Sequence, residues 1–332
     1  VKRGRPTRAA LHERLELEIG ELRTRLGGLP RPEEAEGIWT DIWYQEAHNS
    51  TAIEGNTLVL KQVETLLKTG HAAGEKELRE YLEVTGYGAA AQWVYGQALS
   101  SEEWSSGELL SLTEVRHIHQ LALGPVWQVS PHPDASEAES PGNWRRHDIQ
   151  PFGRGMKPPA FTEVQSLMTD WVNGVRQVAA DEAPIAVALA KRHAEFERVH
   201  PFIDGNGRAG RLLTNLILVR LGYPPAIIRK ERRQQYLDAL DRADQGDPEP
   251  LGEILARAIL DNLNRFVLPA IAGPVKLVPL QALATPVLRV TALRVAALRG
   301  RLRAIRRPDG AWLSSKQWVD DYAARRYQRG AG

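Results

Sequence analysis

Residues 200–211 read His200-Pro201-Phe202-Ile203-Asp204-Gly205-Asn206-Gly207-Arg208-Ala209-Gly210-Arg211, set between stretches of helical periodicity at 184–199 and 208–221. One helix therefore ends at a histidine, and the next opens on two arginines. Glycine lets backbone N–H groups come close to an anion. The free N–H groups and the dipole of the second helix favour negative charge at its start. Arg208 and Arg211 stand three apart, so they share a face and can fork onto phosphate oxygens. Asp204 is a hard oxygen donor, of the kind that shares a magnesium ion with phosphates. His200 is suited to act as a general base near neutral pH. Any one of these residues alone would serve equally well as a cap or a polar connection. The twelve together describe a loop for nucleotide phosphoryl chemistry.

The chain around this loop reads as mostly helical. Residues 7–27 place Leu11, Leu15, Ile19, Leu22 and Leu26 at helical spacing, and Gly27–Pro32 ends that helix. A second helix over 33–50 carries a core stripe of Trp39, Ile42, Trp43 and Ala47. Further helices are expected at 57–68, at 75–99 and up to about 123, the last with Ser105 or Ser106 as its cap. From Gly124 to Pro159 the texture turns to Pro, Gly, Ser and His, which reads as loops with one short β-hairpin. Long irregular stretches inside a compact domain are often lids. Helical periodicity returns at 162–178, 231–244 and 248–266, and Pro269, Gly273 and Pro274 mark a linker. His117 and His119 stand two apart and face different sides of a helix. They, with His147 and His193, read as surface or packing residues, and no zinc pattern is present.

Segment 200–211 resembles the signature of the Fic family (filamentation induced by cAMP), His-Pro-Phe-x-Asp-Gly-Asn-Gly-Arg-x-x-Arg, at every fixed position. The similarity extends over about 35–270, including Ala194–Arg198 before the loop and Gly222–Ile228 after it. The fold it implies is mainly α, a Fic-type helical bundle with a short β-hairpin flap. The activity it implies is protein adenylylation, with AMP moved from Mg·ATP to a Ser, Thr or Tyr hydroxyl of a target protein and pyrophosphate released. By this resemblance His200 deprotonates the target hydroxyl and Asp204 holds Mg²⁺ between phosphates. Gly205, Asn206 and Gly207 cradle the phosphates, Arg208 and Arg211 bind the outer ones, and Phe202 anchors the loop in the core. Tyr236 and Asp244 match positions where relatives touch the adenine. Asn143–Phe161 matches the flap, with Trp144, Ile149 and Phe152 to clamp the target backbone as an added strand.

Upstream, Ser50-Thr51-Ala52-Ile53-Glu54-Gly55-Asn56 is similar to the family's inhibitory motif, Ser/Thr-x-x-x-Glu-Gly/Asn. The resemblance implies that Glu54 pairs with Arg211 and competes with the ATP γ-phosphate for its guanidinium, with Ser50 opening the motif. In some relatives the same glutamate positions a water that removes AMP, so removal is open as a second activity. Relatives with this layout form homodimers, and the resemblance extends that expectation to this chain.

Composition sets the outer limits. The 332 residues are 42% hydrophobic and 25% charged, the balance of an ordinary globular protein of about two domains. With no cysteine there is no disulfide framework, thiol catalysis or Cys-ligated zinc. No apolar run suits a membrane helix. The start, Val1-Lys2-Arg3-Gly4-Arg5-Pro6, lacks an apolar signal region, so a bacterial-type cytoplasmic location is expected. Arg3–Pro6 also resembles the core of a minor-groove AT-hook. The net charge of +2 is unevenly spread: residues 276–332 hold twelve Lys/Arg and three Asp/Glu, leaving the remainder at −7. That tail reads as helix (277–284), helix (290–299, with Thr291 as a cap), basic hairpin and closing helix (314–327). The order resembles a small winged helix-turn-helix domain. Arg294, Arg299, Arg301, Arg303, Arg306 and Arg307 would then face phosphates or a groove of DNA; the alternative is a basic domain that binds the target protein or the Fic body. The expected organisation is an N-terminal arm and helix over 1–32, a region with the inhibitory helix over 33–110, the catalytic core over 111–270 and the basic domain over 276–332. A DNA-binding regulator whose Fic body senses nucleotide with little turnover is the alternative reading.

Overall fold

The computed structural model describes residues 7–32, 35–99, 109–152, 155–271, 273, 276–307 and 309–328. Thirteen α-helices and three short strands lie in these residues: α1 Arg8–Arg25, α2 Glu36–Ile53, α3 Leu60–Thr69, α4 Leu78–Leu99, α5 Leu112–Trp127, α6 Val164–Arg176, α7 Ile185–Val199, α8 Asn206–Arg220, α9 Arg233–Asp244, α10 Glu249–Asn262, α11 Leu268–Ile271, β1 Val278–Pro279, α12 Val290–Leu298, β2 Ile305–Arg306, β3 Trp312–Ser314 and α13 Lys316–Gln328. A π-helical stretch, Leu263–Val267, joins α10 to α11.

The bundle is built around α8. Its residues from Arg208 to Arg220 are all buried, and α2, α4, α5 and α7 pack around it. Leu212, Leu213, Leu216, Ile217, Leu218 and Val219 drive it to the centre, and its buried Arg208, Arg211, Asn215 and Arg220 are each met there by polar partners. Each of its fully buried leucines contributes about 1.5–3 kcal/mol relative to exposure. At the outside, α1 opens on Thr7, whose hydroxyl accepts from the Ala10 amide at 3.2 Å, and buries Leu11, Leu15, Ile19 and Leu22. The start of α5 corrects the expected cap: Ser111 and Glu114 exchange side-chain-to-backbone bonds at 3.3 and 2.9 Å, a capping box. Ser105 and Ser106 lie outside the described residues, as does the AT-hook-like Arg3–Pro6.

The flap contains less β-structure than expected. Within 143–161 the described residues form one isolated antiparallel bridge, Phe152 with Met156, and are otherwise extended or turned.

The tail differs in two places from its sequence reading. Residues 277–284 form β1 and a turn, not a helix, and α12 starts at Val290 after Arg289 with no side-chain cap, so Thr291 does not cap it. The strands make one antiparallel sheet in the order β1-β3-β2, with Val278 opposite Ser314 and Ile305 opposite Leu313. Only one helix lies between β1 and the hairpin, so the paired helices of a winged helix-turn-helix are not reproduced. Nor does the tail have a core of its own. Val278, Leu280, Leu288, Leu293, Leu302 and Val319 join the hydrophobic cluster that runs through the bundle.

Candidate active site

α7 ends where the loop begins. His200 adopts φ 47° and ψ 60°, a left-handed conformation found at no other non-glycine position among the described residues. Such a backbone costs about 1–3 kcal/mol and persists only where its surroundings hold it. Arg145 does the holding. Its buried guanidinium donates to the carbonyls of His200 (2.9 Å), Val199 (3.3 Å), His147 (3.0 Å) and Pro159 (2.6 Å), and its own amide donates to Pro201 O at 2.9 Å. The imidazole then has a defined tautomer. Nδ1 lies 3.2 Å from the Glu197 carbonyl, which can only accept, so Nδ1 carries the proton and Nε2 keeps its lone pair. Burial pushes the His200 pKa down to about 4, so the ring is neutral at pH 7. Phe152 of the flap packs against it, ring centres 4.4 Å apart.

The loop itself is clamped at both ends. Phe202 is fully buried, stacked on His119 at 3.6 Å and tilted against Trp144 at 4.9 Å. The Asn206 side chain accepts from Phe202 N (3.0 Å) and donates to Phe202 O (2.8 Å). Its amide is therefore spent on closing the turn, and what it offers an anion is its backbone. His119 donates from Nε2 to Asp204 O at 2.8 Å and accepts at Nδ1 from Gly142 N at 2.9 Å. Burial holds it neutral too, with a pKa of about 4. Gly205 sits at φ 76°, and a Cβ there would come within 2.5 Å of Leu123, so conformation and space both demand glycine.

The two arginines project from α8 into a carboxylate cluster. Arg208 lies 3.4 Å from both oxygens of Asp204 and 3.8 Å from Glu83. Burial pushes the Asp204 carboxyl upward, but Arg208 and the Gly205 amide at 2.6 Å outweigh it and leave the pKa below the ordinary value. Arg211 donates from Nε to Ser50 Oγ (2.7 Å) and from Nη2 to Ser50 O (3.0 Å) and to Glu54 Oε1 (2.7 Å). Burial also works against the charge on Glu54, yet Arg211 overrides it and keeps the carboxyl ionised. A Cβ at position 207 would stand 2.5 Å from Glu54 Oε1, so Gly207 makes room for that carboxylate.

The remaining expected site residues sit around the loop and beyond it. Tyr236 is buried, its hydroxyl 2.7 Å from His193 Nε2 and its ring 6.0 Å from the Arg211 guanidinium. It packs behind Arg211. Asp244 accepts a hydrogen bond from Arg198. Trp144 packs on Phe202 of the loop, with its indole N–H donating to Gln165 at 2.8 Å. Ile149 is half-buried in the flap segment. In the tail, Arg294, Arg299, Arg301, Arg303 and Arg306 are exposed, Arg303 lying 4.2 Å over Trp318. Arg307 is buried and ion-paired with Glu21 of α1 at 2.6 Å and with Asp309 at 2.8 Å, so it does not face outward. Sequence reading missed Arg145, because an arginine among prolines and glycines looks like surface. It also missed Glu197, which sits on α7 three residues before His200. Burial pushes the Glu197 pKa up to about 8, and its Oε1 has no hydrogen-bond partner.

A neutral base, an ionised aspartate and two arginines thus surround one helix N-terminus, an arrangement able to bind and attack a phosphate chain. Comparison with known proteins gives the same direction. The pattern of the Fic/DOC family matches residues 109–218. The chain is 32% identical to the protein adenylyltransferase Fic of Drosophila willistoni over 230 residues, 68% of this chain and 42% of that protein. It therefore spans less than half the length of that relative. Among solved structures, Fic-1 from C. elegans superposes with a TM-score of 0.64 at 27% identity, covering 78% of this chain and 72% of that one. A Fic family protein from Desulfovibrio desulfuricans G20 shares the fold over 92% of this chain and 95% of its own, at 22% identity and a TM-score of 0.55. With the complete loop, the glutamate on its second arginine and these likenesses, the chain belongs to the Fic/DOC family.

Proposed function

We propose that the chain is a protein adenylyltransferase restrained by its own Glu54. The observation that carries this is His200, a neutral imidazole with its Nε2 lone pair free at the head of a phosphate-type loop. A hydroxyl of a target protein held along the flap gives its proton to Nε2 as its oxygen bonds to the α-phosphorus of ATP. The bond from that phosphorus to the bridging oxygen breaks, and pyrophosphate leaves. Arg208, Arg211 and the free amides of α8 stabilise the charge that shifts onto the phosphates. Asp204 is the residue that would hold magnesium. Among the described residues no group of three or more His, Cys, Asp or Glu could hold a metal ion, so a cation held by Asp204 would depend on the nucleotide's own oxygens for further ligands. When bound, it would offset negative charge between the phosphates.

Glu54 is the natural restraint, because one Arg211 nitrogen cannot serve both its carboxylate and a terminal phosphate. A charge-assisted hydrogen bond of this kind is worth about 1.5–3 kcal/mol. Its removal is expected to raise transfer roughly tenfold or more. The test is intact mass after incubation with ATP and magnesium of the wild type, Glu54→Gly, and Glu54→Gly with His200→Ala, followed by labelling of a cell lysate. An AMP-sized adduct, on the protein or on a lysate protein, with Glu54→Gly and not with the double variant is the expected result. Failure of Glu54→Gly to label either one overturns the proposal.

A further inference from the structure

α2 and α8 meet through a column of polar contacts reaching well beyond the nucleotide loop. Residues 46 and 50 lie on α2 and residue 54, four further on, caps its end, while residues 215, 211 and 207 lie four apart on α8, so each set stacks along one side of its helix. The sets match in opposite directions. At one end Glu54 Oε1 meets Arg211 at 2.7 Å, above Gly207. In the middle Ser50 takes two hydrogen bonds from Arg211. At the far end Asn215 Nδ2 donates to Glu46 Oε1 at 2.7 Å.

That far rung is the most heavily tied. Tyr87 donates to Glu46 Oε1 at 2.9 Å and Tyr95 donates to Glu46 Oε2, both from α4. Asn215 Oδ1 accepts from Ala226 N at 2.8 Å, which fixes the amide's orientation. Glu46, Tyr87, Tyr95 and Asn215 are each at most 2% exposed. A buried carboxylate is costly unless donors satisfy it, and here two donors about two turns apart on α4 and a third on α8 do so together, which ties the height of α2 to both helices. Glu46 is about 12 Å along α2 from Glu54, two turns away, so it touches neither nucleotide nor target.

We propose that Glu46 is a positioning residue for the restraint: with Tyr87, Tyr95 and Asn215 it fixes the height of α2 against α8, so that Glu54 meets Arg211. A one-turn slip moves α2 by about 5.4 Å and takes the Glu54 carboxylate out of reach of that guanidinium. The inference rests on the adenylyltransferase reading for its activity readout, and a second readout makes it independent.

Glu46→Gln puts an N–H₂ where an acceptor is required, and Tyr95→Phe removes a single donor with little change of shape. Each is made with Glu54 intact and again in Glu54→Gly. With Glu54 intact, both variants are expected to raise AMP transfer, Glu46→Gln by about fivefold or more, a loss of restraint of about 1 kcal/mol. In Glu54→Gly neither adds a further rise, because the group they position is gone. A merely structural role predicts an equal fall in both backgrounds. That outcome, no change with Glu54 intact, or an equal rise in both backgrounds would overturn the proposal. If Glu54→Gly itself transfers nothing, the activity reading fails and amide exchange over residues 47–55 decides. Faster exchange there than in wild type, with α6 unchanged, supports the positioning role, and unchanged exchange overturns it.

Discussion

Burial sets opposing protonation preferences on single residues here, and the balance yields a pH optimum for stability. Burial pushes the pKa values of His119, His193 and His200 down to about 4, 3 and 4. Their unfolded values lie near 6.5, so between pH 6.5 and the folded values the unfolded chain binds more protons. Stability is therefore lost as pH falls through that window, by up to about 1.4 kcal/mol per pH unit for the buried rings of His119 and His193 and by less for the partly exposed His200. His12 and His48 are lowered as well and act in the same direction. Glu197 has the opposite sign. Its folded pKa is about 8, so it favours the folded state below its unfolded value and loses that contribution as pH rises to 8. Glu46, raised by burial, adds to that side. The histidines outnumber the acids below pH 6.5, and only the acids act above it. The thermal midpoint is expected to be highest near pH 6.5 and lower at both pH 5 and pH 8; a higher midpoint at pH 5 would contradict the assignment. At this scale the twelve-residue loop was legible because its chemistry needs particular residue types. Arg145 and His119 were not, because their roles are bonds to carbonyls and amides distant in sequence.

Elements were legible where caps and apolar spacing agree. Apart from the start of α5, the helices around the core fall within a few residues of their sequence limits; Trp39, Ile42 and Ala47 are buried as the spacing requires, Trp43 is half-buried, and Phe202 is buried as the resemblance implies. The helix expected at 277–284 failed for a physical reason. Leu277, Leu280 and Leu283 have helical spacing, but Val278 and Pro279 instead pair with β3. Pro279 is tolerated because β1 is an edge strand with a partner on one side only. The capping box of α5 gives the prediction for this scale. Ser111→Ala leaves the Glu114 amide without its hydroxyl acceptor and is expected to lower unfolding free energy by about 1 kcal/mol. Denaturant unfolding would show a lower midpoint at unchanged slope.

For the whole molecule, the uneven charge seen in the sequence becomes a contact. Arg307 of the basic tail is inserted between Glu21 of α1 and its neighbour Asp309, and apolar residues of the tail complete the common cluster. Both carboxylates are partly exposed, so solvent weakens the pair. Arg307→Ala is expected to cost about 1–2 kcal/mol at this junction, counting the desolvated groups left behind. Faster limited proteolysis in the segment before β1, with the bundle fragment intact, is the result to look for. Among the described residues no helix is long and apolar enough to cross a membrane. Of the tail's exposed arginines, Arg303 lies over Trp318 and Arg306 over Trp312. The longest-range consequence belongs to Arg145. One guanidinium grips carbonyls on both sides of the flap and on the turn bearing the base. A displacement of the flap backbone therefore pulls on the same fulcrum that holds the His200 turn, and the two segments are tied through a single side chain.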